Sequence, residues 1–308
     1  MKISLIMATY NGQNFIENQL DSINKQTRRI DEVIIRDDGS TDDTVTIVKK
    51  FISDNQLKHW NLVVNNTNLG WRDNFSKLLG DATGDIIFLA DQDDYWYPEK
   101  IKKMADYMEN QSIEVLVSDY KQKILEGASE QNFKMISEFR VKDSLYKVNQ
   151  EIDNYQISRP GWTYAVNVKL VPIFLNARRG INGKAHDTLI WQLALSRGSL
   201  FHMREVTGIW TMHPESAIAK ESKGRVLSRK QLVQYLSDEI STLEILLNEN
   251  DNLVFEKSLL RLKVNYKARV DVLLKGTLSS WVINCWKYKS FKTAIGDFKR
   301  TITKGDTL

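Results

Sequence analysis

A single cysteine, Cys285, occurs in 308 residues. No disulfide framework can form within the chain, and a reducing compartment is expected. No apolar run approaches the ~20 residues needed to span a bilayer. The opening MKISLIMATY is too short an apolar patch for a signal-peptide core, and no cleavage-type segment follows it. A cytoplasmic protein is the expectation. There is no internal repeat and no low-complexity linker, and the net charge of +4 is too small to single out a polyanionic partner. The length suits one large domain, or one domain with an appendage, at roughly 150 residues per domain.

What is present begins as an alternation. KISLIMATY, DEVIIRDDGS, WNLVVNN, DIIFLADQDD and IEVLVSDY read as strands. Helical patterns separate them: NFIENQLDSINKQ, STDDTVTIVKKFI, RDNFSKLLGDA and PEKIKKMADYME. This predicts an α/β fold with a mostly parallel, Rossmann-like sheet flanked by helices. Residues 121–215 are less regular. From about 226 the pattern is helical, with Leu232, Leu236, Ile240, Leu243 and Leu247 at spacings of three and four. The expected organisation is one α/β domain over 1–220, divided near 120, and a helical C-terminal region over 221–308.

Three polar clusters fall at predicted strand ends, where ligands bind in such sheets. The most acidic, Asp91, Asp93 and Asp94, closes an apolar strand. Hard divalent cations take carboxylate oxygens together with substrate phosphates, so D-x-D here can hold Mg²⁺ or Mn²⁺. An EF-hand is excluded because Tyr95 and Trp96 occupy its fifth and sixth positions. A phosphatase-type loop would need Thr or Val at 95. The plain alternative is an acidic loop that ends a strand. The second cluster, DDGSTDDT from Asp37 to Thr44, fits a turn with a helix cap. It also offers Asp38 as acceptor for a ligand N–H such as that of a pyrimidine. The third, ATYNG from Ala8 to Gly12, is either a strand-to-helix turn or a platform for a nucleobase beside Tyr10.

Taken with their order and spacing, these segments resemble family 2 glycosyltransferases of the GT-A fold, most of all bacterial members that build O-antigens, capsules and rhamnose-containing polysaccharides. ATYNGQNFIENQLDSINKQT, DEVIIRDDGSTDDT, NTNLGWRDNFSKLL and GDIIFLADQDDYWYPEKI carry the resemblance. It is continuous over about the first 110 residues, thins to islands up to about 220 and is absent from the tail. It implies Thr9, Tyr10 and Asp38 in the nucleoside pocket, with Gly70 and Arg72 near the nucleotide. It implies Asp91 at the ribose and Asp93 on a diphosphate-bound Mn²⁺ or Mg²⁺. In HDTLIWQLA it implies Asp187 as catalytic base, with His186 either orienting it or packing. His213 in WTMHPES would complete the metal shell, although Trp210, Thr211 and Met212 depart from the family's usual Tyr-Arg-x-His.

Sugar transfer needs a stabilised leaving diphosphate and a deprotonated acceptor hydroxyl. One base without a second carboxylate nucleophile implies direct displacement with inversion. A nucleotide-sugar donor, dTDP-rhamnose, UDP-glucose or UDP-galactose, and a lipid-linked saccharide acceptor are the expected partners. A metal-dependent phosphohydrolase or nucleotidyltransferase and an inactive sugar-nucleotide-binding subunit are the alternatives. RPGWTYAVN is expected on the acceptor side, with Trp162 stacking on a sugar or buried in the core. WVINCWKYKSFKTAIGDFKR interleaves Trp281, Trp286, Tyr288, Phe291 and Phe298 with basic residues. As one helix it would lie on an anionic membrane surface or pack on the body with a solvated basic face. No nucleic-acid recognition motif accompanies its charge.

Overall fold

Along strand β1 (Ile3–Thr9), Ile3, Leu5 and Met7 enter one core and Ile6 the other, the two-residue period of a strand covered on both faces. β2 (Glu32–Asp37) repeats this with Val33 and Ile35 opposed to Ile34. With β3 (Trp60–Val64) and β4 (Ile86–Ala90) they form a parallel block in the order β3-β2-β1-β4. The structure is a computed structural model and describes residues 1–110, 113–130, 143–157, 159–181, 183–216, 219 and 227–302.

Parallel neighbours need crossovers, and helices supply them. α1 (Ile16–Asn24), α2 (Thr44–Asp54) and α4 (Lys100–Asn110) bury Leu20, Val48 and Met104 against the face of Leu5 and Val33. α3 (Trp71–Asp81) buries Phe75, Leu78 and Leu79 against the face of Ile6 and Ile34.

β5 (Tyr95–Trp96), β6 (Val115–Ile124), β7 (Leu145–Lys147), β8 (Tyr164–Asn167) and β9 (Leu200–Met212) extend the sheet. β8 runs antiparallel between β4 and β6, and β6 runs parallel to β9. The short β5 and β7 both pair antiparallel with β9. The expected parallel character therefore holds for the first four strands, and the sheet is mixed beyond them. Strands buried on both faces are apolar whichever way they run, so their direction leaves little trace in sequence.

α5 (Ile152–Tyr155), α6 (Val171–Arg178) and α7 (His186–Ser196) precede the tail helices α8 (Arg229–Glu249), α9 (Leu253–Lys275), α10 (Leu278–Asn284) and α11 (Phe291–Ile302). Leu232, Leu236, Leu243 and Leu246 of α8 share a core with Leu189, Ile190 and Leu193 of α7 and with Ile6 and Ile34 of the sheet. Of the five predicted contact positions, Ile240 and Leu247 are half-buried at the margin. The expected boundary at 220 lies outside the described residues. A buried ion pair fastens α8 to the loop that enters α7. Lys184 Nζ lies 2.6 Å from Glu239 Oε1, and Tyr155 donates to Glu239 Oε2 at 2.8 Å.

The C-terminal segment is not one helix. α10 ends at Asn284, a tight turn covers Cys285–Lys287, and α11 begins at Phe291. Asn284 uses its side chain on Ser280 O and Asp271, a competition that weakens helices. The reversal lets Trp281 donate to Ala294 O at 2.9 Å and pack its ring against Phe291 and Phe298. A straight helix would hold those rings apart.

Candidate active site

The carboxyl ends of β1, β2 and β4 deliver the three acidic or polar loops to one edge of the sheet. The first two loops latch together. Asn11, with φ of 47° in the left-handed region that Asn tolerates, accepts the Thr41 amide and donates its own amide to Ser40. Asp37 is wholly buried and binds Thr9 Oγ1, Ser40 Oγ and the amides of Gly39 and Ser40. Thr9 therefore spends its hydroxyl on the turn. Tyr10 stands exposed, its backbone clamped in both directions by the Gln92 side chain.

Asp38 is buried and accepts from Asn65 Nδ2, Leu69 N and Gly70 N at 2.8–2.9 Å. These donors take three of the roughly four lone-pair sites of the carboxylate. Gly70 adopts φ 81° and ψ 148°, a region open essentially to glycine, and starts α3. Arg72, in the first turn of that helix, lays its guanidinium over the Trp71 ring.

The acidic loop after β4 meets the end of β9. Asp93 Oδ2 and His213 Nε2 are 2.8 Å apart, both mostly buried. Two neighbours set this up. Asp94 accepts the Thr211 amide at 3.1 Å, and Tyr95–Trp96 pair with Gly208–Ile209 as β5. Beneath the loop, Lys100 donates to Thr207 at 3.0 Å and lies against the Trp96 and Trp162 rings. Burial pulls Lys100 down to about 7 against the opposing charge of Asp94.

Asp187 faces this loop from α7. Its partner is the next residue, Thr188, whose amide reaches Oδ1 at 2.6 Å. The N-cap position belongs to Ala185, so Asp187 is not there to cap the helix. Burial pushes the Asp187 carboxyl up to about 6, with the Thr188 bonds and Arg72 opposing. Burial, reinforced by the charges of Asp93 and Asp187, pushes Asp91 up to about 8. Burial likewise raises Asp94 well above the carboxylate range, with Asp93 and Asp91 adding to it. Carboxylates this close are unfavourable together unless protons or a cation neutralise them.

Among the described residues, no three His, Cys, Asp or Glu side chains form a ready metal cluster. Asp93 and His213 give one oxygen and one nitrogen, and the other ring nitrogen of His213 is buried without a hydrogen-bond partner. This donor set fits a divalent cation that draws its other ligands from a diphosphate and water.

The family model for glycosyl transferase family 2 matches residues 4–163, just over half of the chain. The chain belongs to that family. It is 34% identical over 119 residues to the poly(ribitol-phosphate) beta-N-acetylglucosaminyltransferase TarS of Staphylococcus aureus, covering 38% of this chain and 20% of TarS. It is 40% identical over 108 residues to the dTDP-rhamnosyl transferase RfbG of Shigella flexneri, covering 32% of this chain and 36% of RfbG. These matches thus span well under half of each relative. The structure of TarS residues 1–349 with UDP-GlcNAc superposes with a TM-score of 0.64 at 20% identity, over 98% of this chain and 82% of that one. The mannosyltransferase PcManGT from Pyrobaculum calidifontis, with GDP-Man and Mn²⁺, gives 0.54 at 15% identity, over 98% and 85%. The shared fold is GT-A.

Within this family 2 fold, Asp93 meets His213 directly, and Asp91 lies within electrostatic reach of both Asp93 and Asp187. Tyr10 follows β1, Asp38 follows β2, and Gly70 and Arg72 stand at the start of α3. His186 packs rather than orients: its ring stacks on Phe75 at 3.9 Å and meets the Trp71 edge, and burial holds it neutral at about 3. Trp162 is fully buried against Lys100 and Tyr120, so it offers no face to a sugar. Nothing in the sequence pointed to Gln92 or Lys100, and Asp94 showed there as part of the acidic cluster without its role of holding the Thr211 amide. Gln92 lies inside D-x-D, between two carboxylates that carry the metal-binding signal. For Lys100, only its place two residues after Pro98 at a helix start was visible.

Proposed function

We propose that the protein is an inverting glycosyltransferase. It moves a hexosyl or rhamnosyl unit from a pyrimidine-nucleotide sugar to a polyprenyl-diphosphate-linked oligosaccharide, on the inner face of the membrane, in bacterial surface-polysaccharide synthesis. The observation that carries this is the acidic cluster after β4, in which Asp91 lies within electrostatic reach both of Asp93, itself paired with His213, and of Asp187. One side suits a diphosphate-bound Mn²⁺ or Mg²⁺ and the other a base.

Asp38 keeps an acceptor site for the pyrimidine N3–H beside Tyr10. Asp187, ionised above about pH 6, takes the proton of the acceptor hydroxyl. The acceptor oxygen attacks the anomeric carbon from the side opposite the leaving diphosphate. The glycosyl–phosphate bond breaks as the new bond forms, and the configuration inverts. A divalent cation held by Asp93 and His213 would offset charge on the departing diphosphate. The dTDP-rhamnosyl relative and the UDP-GlcNAc complex of the staphylococcal one support a pyrimidine nucleotide.

The test is thermal-shift binding of UDP, dTDP, GDP and CDP with and without Mn²⁺, followed by product analysis with the donors that bind. Metal-dependent stabilisation by UDP or dTDP and a glycosylated lipid-linked product are expected. Nucleotide turnover with no sugar product on any acceptor would identify a phosphohydrolase instead. Nucleotide binding with no turnover of any donor would identify an inactive binding subunit.

A further inference from the structure

Large apolar side chains stand in water on α10, on the turn after it and on α11. Trp286 is 76% exposed, and Leu278, Val282, Ile283 and Phe291 each exceed half exposure, with Ile295 one turn beyond Phe291. Leu278 and Val282 are one turn apart on α10, and Ile283 and Trp286 continue that side through the turn. The contact of Trp281 with Phe291 and Phe298 holds α10 and α11 side by side. Exposed large apolar side chains grouped on elements packed side by side mark a site of interaction.

Its charge is one-sided. Lys287, Lys289, Lys292 and Lys299 lie on the same segment. The one acid between Gly276 and Ile302 is Asp297, which is buried and bound by Arg269 at 2.8 Å. The outward face is therefore cationic and apolar together.

We propose that α10, the turn after it and α11 form a docking face for an anionic lipid surface. This deepens the lipid-linked acceptor reading and rests on it for its purpose. Apolar side chains enter the headgroup boundary while lysines meet lipid phosphates, as interfacial helices do. No described helix is long and apolar enough to cross a membrane, so the face lies on the surface. A second copy of this chain is the poorer occupant. A two-fold interface here would set four lysines against the same four.

The test is co-sedimentation of the full chain, without nucleotide, on vesicles of phosphatidylcholine alone and of phosphatidylcholine mixed with phosphatidylglycerol. Binding to the mixed vesicles alone, weakening with salt, is expected. Ile283→Ser with Trp286→Ser, or Lys289→Glu with Lys292→Glu, should each lower that binding at least about tenfold. The melting temperature and transfer to a water-soluble acceptor should not change, since these side chains are outward and far in sequence from the site. Equal binding by the variants and the parent, or none by the parent, overturns the proposal. So does a dimer in sedimentation velocity that the same substitutions dissociate. Failure of transfer with intact vesicle binding would instead strike the proposed reaction and leave the surface standing.

Discussion

His213 Nε2 lies 2.8 Å from Asp93 Oδ2 across 120 residues of sequence. Nothing local brings them together. β5 zips the acidic loop to β9, and Asp94 pins the Thr211 amide two residues before His213. The third carboxylate of the DQDD loop thus holds the second one against its partner.

Loss of either partner should therefore separate metal binding from folding. Asp93→Asn is expected to abolish the Mn²⁺-dependent part of stabilisation by UDP or dTDP. His213→Ala should weaken apparent Mn²⁺ affinity by roughly 10- to 100-fold, the cost typical of lost groups around a metal. Thermal-shift titrations of metal at fixed nucleotide read both. Unchanged metal dependence in both variants would mean that the cation sits elsewhere.

Asp91, pushed up to about 8 by burial and by the charges of Asp93 and Asp187, should make metal binding at this cluster pH-dependent. At pH 7 its carboxyl is mostly protonated, and a cation drawn into the carboxylate cluster displaces that proton. Apparent Mn²⁺ affinity should rise from pH 6 to pH 8, with proton release near pH 7. Calorimetry in buffers of different ionisation heat measures the release. The stability sign agrees: a carboxyl raised in the folded state favours folding at low pH. That contribution is lost as pH rises from about 4 through 8. The metal-free melting temperature should fall over that window, and Mn²⁺ should recover it.

Much of this centre was legible because its residues sit in short motifs at strand ends. The first four strands and their helices were legible for the same reason: Ile, Val and Leu runs alternate with amphipathic stretches. What was hidden is long-range. Asp94 finds its partner 117 residues away, and Gln92 clamps Tyr10 across 82. The antiparallel insertion of β8 between β4 and β6 left no mark in an apolar run. The C-terminal segment misled as one amphipathic helix because helical spacing cannot show that Trp281 folds back on Phe298.

Asp187→Asn should leave nucleotide binding intact and lower turnover by roughly 10²- to 10⁴-fold, the usual weight of a positioned base. In the parent enzyme, kcat should rise with pH through about 6 as the carboxyl ionises. His186 is held near 3 and contributes no titration of its own. A rate that is flat from pH 5 to 7 with saturating metal and donor would argue that another group takes the proton.

Gly161 lets the chain pass close to the start of α7. A methyl group there would sit 2.7 Å from His186 Nε2 and 3.7 Å from Asp187 Cβ. The imidazole cannot yield, because Phe75 and Trp71 hold it. Gly161→Ala should cost about 1–3 kcal/mol of stability by overpacking. It should also lower kcat more than it raises KM for the donor, since it displaces the base and not the nucleotide loops. Urea unfolding and steady-state kinetics on the same preparation test both parts.

The tail helix α8 reaches the same loop from the other side. Lys184 and Glu239 are 5% and 7% exposed, and Gly183 donates its amide to Asp238 at 3.1 Å. This loop runs directly into His186 and Asp187, so the tail is expected to position the proposed base. Lys184→Met strands Glu239 in the core and should cost about 3–5 kcal/mol. The double variant Lys184→Met with Glu239→Leu removes both charges and should recover much of that loss, although Tyr155 then loses its acceptor. If α8 only stabilises, activity per folded molecule will match the parent in the double variant. If the pair also sets the loop, melting temperature will recover while kcat stays low with the nucleotide affinity unchanged. The second outcome is expected, because in the double variant no side chain at position 184 ties the loop that leads into Asp187 to α8, and the Gly183–Asp238 bond is left to join them.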